Sequence, residues 1–143
     1  MMILILLFVI GCKPQLTYSQ LMEQPALLKK EMEQCEKNPT LADEKTLQCK
    51  IVMQAFSRFL SLVKQKEENP EEFGERILQA EMALADTLEE IHHQEQQLKA
   101  LQTHSSDQLK KIQNKLEEMH AIYDIRESEI KTLLAVILES SPE

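Results

Sequence analysis

Apolar residues recur at three- and four-residue steps along most of this chain, the mark of amphipathic helix. The clearest run lies near the C-terminus. Leu109, Ile112, Leu116, Met119, Tyr123, Arg126, Ile130, Leu133 and Ile137 alternate by three and four, the spacing of an a/d seam. Arg126 is its one charged member. A preceding helix is predicted over 70–103. There Ile77, Leu84, Ile91 and Leu98 recur every seven residues, with Phe73, Leu88 and Leu101 three or four away. The polar stretch 103–107 breaks the pattern, and Ser105 or Ser106 can cap the next helix. So short a turn makes the two helices antiparallel neighbours. Leu101 then lies beside Leu109, Leu98 beside Ile112, Leu84 near Arg126 and Ile77 near Leu133. Arg126 is expected at the seam edge, its stem on Leu84 and its guanidinium reaching Glu81 or solvent.

Upstream, a helix is predicted over 43–68. Cys49, Met53, Phe56, Leu60 and Val63 fall on one face, and Val52 and Phe59 widen it. It should stop at Asn69-Pro70, since a residue before proline leaves the α region. Pro70 can open the next helix, with Glu71 and Glu72 favoured in its first turn. Pro25 likewise suits a helix start, and the helix it opens should run to about Cys35. Asp43 suits an N-cap. Cys35 and Cys49 thus flank a short loop containing Asn38-Pro39, one near the turn-facing end of each helix. A disulfide there would close a loop of about 15 residues, worth ~3 kcal/mol in the chain-entropy account. Two unbonded thiols are the alternative. The expected fold is all-α: a disulfide-stapled helical pair followed by a long antiparallel coiled-coil hairpin.

Residues 1–11, MMILILLFVIG, are uncharged and almost wholly apolar. They are too few to span a bilayer as a helix and match the apolar core of a secretory signal. The alternative is a buried N-terminal strand or helix. Val9-Ile10-Gly11-Cys12 resembles a bacterial lipobox, which implies that Cys12 is lipidated and becomes the first mature residue. Such signals normally open with Lys or Arg, and here only the α-amino group is positive. Export closes the cysteine arithmetic: Cys12 takes lipid, leaving Cys35 and Cys49 as a pair in an oxidising compartment. Stable anchoring needs more than one acyl chain. Lys13 in place of Asp after Cys12 favours the outer membrane, by resemblance to the sorting rule of enteric bacteria. The chain therefore divides into a signal peptide (1–11), a tether (12–18), a Cys-stapled helical region (19–69) and an acidic helical hairpin (70–143).

The stapled region carries a further resemblance. Tyr18, Gln24-Pro25, Glu33-Gln34-Cys35, Glu36-Lys37-Asn38-Pro39 and then Cys49 follow one another in an order similar to the EexN-type entry-exclusion lipoproteins of conjugative elements. The likeness covers roughly residues 12–52. Gln24-Pro25 stands where that family usually has His-Pro, and Thr46-Leu47-Gln48 where it has Asp-Pro-Asn. The resemblance implies a lipoprotein of the recipient cell that blocks redundant transfer from a donor carrying the same element. It would recognise part of the incoming secretion channel without catalysis, with Tyr18, Pro25, Asn38 and Pro39 as interaction residues. The second reading is a structural coiled-coil lipoprotein, either an accessory subunit of a type IV secretion assembly or a phage spanin-like subunit.

Composition narrows the chemistry. The 143 residues carry a net charge of −8, which disfavours nucleic acid as a partner. Charge is uneven: residues 13–69 hold nine Lys/Arg against eight Asp/Glu, and 70–143 hold seven against sixteen. Two glycines leave little material for phosphate loops or nucleophile elbows. His92 and His93 are adjacent on a helix and point about 100° apart. His104 falls in the turn, and His120 faces away from the seam. The cysteines lack the close spacing of zinc sites. Glu89-Glu90 and Glu117-Glu118 are consecutive pairs that cannot share a pocket. Met53, Met82 and Met119 suit core filler or its flank. No catalytic residue, metal or cofactor is predicted, and the chain is expected not to be an enzyme. A fold this thin also has little room for a small-molecule substrate.

Overall fold

The computed structural model describes residues 16–37, 43–100 and 106–139. Among them the chain is all-helical: α1 (Tyr18–Glu23), α2 (Pro25–Lys37), α3 (Asp43–Glu68), α4 (Pro70–Ala100) and α5 (Ser106–Glu139). Local chemistry sets several of these boundaries. Thr17 and Gln20 form a capping box at the start of α1. The Gln20 N–H donates to Thr17 Oγ1 at 3.2 Å, and the Thr17 N–H donates to Gln20 Oε1 at 3.0 Å. Two orphan donors are satisfied by one reciprocal pair. Gln24 then ends α1 and Pro25 opens α2. At the next junction Asn69 caps α4. The Glu72 N–H donates to Asn69 Oδ1 at 3.2 Å, and Asn69 Nδ2 donates to Glu72 Oε2 at 2.7 Å. The expected break at Asn69-Pro70 is present, with Glu71 and Glu72 in the first turn of α4. The expected caps at Asp43 and at Ser105 or Ser106 lie outside the described residues or side chains. Of the polar stretch 103–107, residues 103–105 lie outside them too, while Ser106 and Asp107 already belong to α5.

One core joins all five helices. Leu21 and Met22 of α1, Leu28 of α2, and Val52, Ala55, Phe59 and Leu62 of α3 pack with Phe73 and Ile77 of α4 and Leu133, Ala135 and Val136 of α5. The buried face of α3 differs from the predicted one. Val52, Ala55, Phe59 and Leu62 are buried, whereas Met53 and Leu60 are 56% and 52% exposed. The facing surface is rotated by about one residue, with the small Ala55 fully buried where the larger Met53 was expected. Phe56 and Val63 lie at the edge, partly buried against the core.

Beyond the core α4 and α5 continue together. Arg76 pairs with Glu129, Ala83 and Thr87 with Arg126, and Glu90 with Lys115. Residue numbers fall on one helix as they rise on the other, so the two run antiparallel. Every α5 position predicted to face inward is buried or partly buried. On α4 one expectation fails: Leu88 is 54% exposed, while Thr87 and Gln94 are buried. The inward series runs Phe73, Ala80, Thr87, Gln94, one heptad apart, and Leu88 lies about 100° off it. No helix among the described residues is long and apolar enough to cross a membrane.

Candidate interaction site

Cys35 and Cys49 are bonded, with their Cα atoms 5.6 Å apart. The bridge fixes the last turns of α2 against the first turns of α3. Beside it Gln48 Nε2 donates to the Leu16 carbonyl at 3.3 Å, so the segment leading into α1 is held on the start of α3. Glu23, at the end of α1, accepts from Ser128 Oγ of α5 at 2.7 Å. These contacts lay α1 across the junction between the stapled helices and the long pair.

A cleft of about 240 Å³ opens at that junction. Met22, Leu62 and Leu133 form an apolar floor, and all three are buried. Tyr18 and Ser19 line it from α1, Arg58 from α3, Arg76 from α4, and Ile125, Ser128, Glu129 and Thr132 from α5. Arg76 Nη2 donates to Glu129 Oε1 at 2.9 Å. Arg58 makes no ion pair among the described residues. In a chain of net charge −8, this rim carries two guanidiniums against one carboxylate. Tyr18 is 43% exposed and Ile125 69%, so apolar surface faces solvent beside the cations.

A polar layer sits further along α4 and α5. Arg126 Nη1 donates to the Ala83 carbonyl and to Thr87 Oγ1. The Thr87 hydroxyl in turn donates to the Ala83 carbonyl at 2.8 Å. The expected Glu81 contact is not formed. A carbonyl and a hydroxyl on the inward face lie closer to the seam than a carboxylate on the exposed face. One layer on, Lys115 Nζ and Gln94 Nε2 each donate to Glu90 Oε1 at 2.8 Å. The Lys115 hydrogen bond, aided by Gln94, holds the Glu90 carboxyl below its ordinary value.

The residues singled out from sequence are only partly brought together. Cys35 and Cys49 meet. Tyr18 is the first residue of α1 and reaches the cleft, whereas Pro25 opens α2 and does not line it. Cys12, Asn38 and Pro39 lie outside the described residues. Arg58, Arg76 and Ile125 were not singled out, because only the tertiary fold gathers them. A local signal did exist at Arg58. Its neighbours three and four residues away are Gln54, Ala55, Ser61 and Leu62, none able to pair with it. No group of histidine, cysteine and carboxylate side chains among the described residues could hold a metal ion. His92 and His93 lie within hydrogen-bond distance of Gln96 and Gln97. No family model, curated protein or solved structure matches the chain.

Proposed function

We propose that this protein is a lipoprotein of a conjugative or mobile element, anchored through Cys12, that mediates entry exclusion by protein–protein interaction. The Cys35–Cys49 bond, whose Cys35 opens a Cys-Glu-Lys-Asn-Pro motif and which follows a lipobox-like Val9-Ile10-Gly11-Cys12, carries this reading. A structural disulfide suits an exported domain. The protein would face the periplasm, on the outer membrane in preference to the inner. Its partner would be a component of the incoming secretion channel. The antiparallel contacts of α4 with α5, and the heptad spacing on both, support a coiled-coil hairpin as the distal arm. The structural alternative, a secretion-assembly spacer or spanin-like subunit, is favoured by the length of that arm. The gene neighbourhood separates the two: conjugation genes favour the first, lysis genes the second.

Anchoring and exclusion are tested together. Recipient cells producing the wild-type chain should receive the element less often than cells without it. Cys12→Ser should abolish the acyl mass increase, move the protein out of the detergent phase and restore transfer. Wild-type protein without added acyl mass would sink the lipoprotein reading. Normal transfer into wild-type recipients would sink exclusion.

A further inference from the structure

We propose that the cleft between α1, α3, α4 and α5 docks a partner-protein segment in which a carboxylate side chain neighbours an apolar one. The proposal deepens the interaction-protein reading and rests on it. Arg58 is the anchor. It lines the cleft, has no carboxylate one turn away on α3 and makes no ion pair among the described residues. Arg76, its neighbour on the rim, is already engaged by Glu129 at 2.9 Å. One guanidinium is therefore committed to the fold and the other is available, which sets the ligand charge at a single carboxylate. Arginine suits that task because its planar fork receives both carboxylate oxygens.

The apolar half of the ligand follows from Tyr18 and Ile125. They stand exposed on α1 and α5 beside a floor of Met22, Leu62 and Leu133. A cleft of about 240 Å³ is below the usual size of a small-molecule pocket, roughly 300–1,000 Å³. It has room for one or two side chains. A polyanion such as nucleic acid would meet the field of a chain with net charge −8 at every phosphate and be repelled, whereas a single carboxylate is opposed far less and sits directly against the Arg58 guanidinium. A short acidic–apolar protein segment meets each of these conditions. The elements that shape the cleft are held by the core, which lowers the ordering cost of docking.

The probe is a phage library of random dodecapeptides, panned on the full chain in detergent micelles. Enriched peptides should place Asp or Glu within two residues of Leu, Ile or Phe. Arg58→Glu should weaken the synthetic peptide about tenfold or more, as for loss of a charged contact, and Arg58→Met should fall between. Replacing the peptide's acidic residue with Arg should restore binding to Arg58→Glu, a rescue that a merely structural role would not give. Lys110→Glu, far along the arm, should bind as wild type. Failure to enrich any peptide, enrichment without acidic residues, or equal binding to Arg58→Glu would overturn the proposal. So would self-association in light scattering that Arg58→Glu abolishes, since the occupant would then be a second copy. Transfer assays in recipients report separately. Undiminished transfer into wild-type recipients, with charge-swap rescue intact, overturns exclusion and leaves the cleft standing.

Discussion

Arg126 places a guanidinium in an otherwise largely apolar seam and gives it only uncharged acceptors, the Ala83 carbonyl and the Thr87 hydroxyl. Desolvating a cation is costly, and no carboxylate among the described residues forms an ion pair with it. Removing the cation strands neither acceptor. The Ala83 carbonyl keeps its intrahelical bond, and the Thr87 hydroxyl still donates to it. We therefore expect Arg126→Leu to raise the melting temperature and to loosen register, since a polar seam residue specifies alignment at a cost in stability. Thr87→Val removes an acceptor from a partly buried cation and should cost about 1–3 kcal/mol. A denaturant-based double-mutant cycle should give Arg126 and Thr87 a coupling of about 0.5–3 kcal/mol, and Arg126 and Glu81 none. Zero coupling at Thr87 would contradict the observed contact.

Among the elements, α3 carries the sharpest contrast. Phe59 is buried and Leu60, the next residue, stands half exposed. Phe59→Ala should cost about 3–5 kcal/mol through cavity formation, and Leu60→Ala should stay within about 0.5 kcal/mol of wild type. Equal losses in chemical denaturation would return α3 to the orientation expected from sequence. That orientation was misread because α3 has two adjacent apolar stripes. Met53 and Leu60 outweigh Ala55 in hydrophobicity and draw the expected face toward themselves, yet it is Ala55 that is fully buried. The inward series of α4 was misread for a related reason. Phe73 and Leu101 lie four heptads apart, and their series passes through Ala80, Thr87 and Gln94. Leu88 draws attention by its hydrophobicity alone. α1 is not among the expected helices, because its six residues hold too few apolar positions to show a period. The breaks at Pro25 and Asn69-Pro70, the α5 face and the proximity of the cysteines were legible because each rests on local chemistry. The cleft was not, apart from Tyr18, because its residues come from four separate helices.

At the scale of the molecule, the division of the sequence at residue 70 does not divide the core. Leu21, Val52 and Leu62 pack in the same cluster as Phe73, Leu133 and Val136. Reducing Cys35–Cys49 should therefore lower the stability of the whole by about 2–5 kcal/mol while preserving a single transition. Near- and far-ultraviolet circular dichroism should report the same midpoint. Two separated transitions after reduction would mean that 70–143 folds without the stapled helices.

The hydrogen bond from Gln48 to the Leu16 carbonyl sets a limit on height. Leu16 lies four residues beyond Cys12, and four residues stretch at most ~14 Å. An acylated Cys12 would thus hold the stapled end on a leash far shorter than α4 itself, roughly 47 Å at 1.5 Å per residue. Tyr18 is two residues further along and would bring the cleft down with it. With Cys12 acylated, whatever docked there would descend almost to the lipid headgroups. An acidic arm standing away from that surface would meet arrivals first and farther out, and the two ends of the molecule would then be touched in sequence.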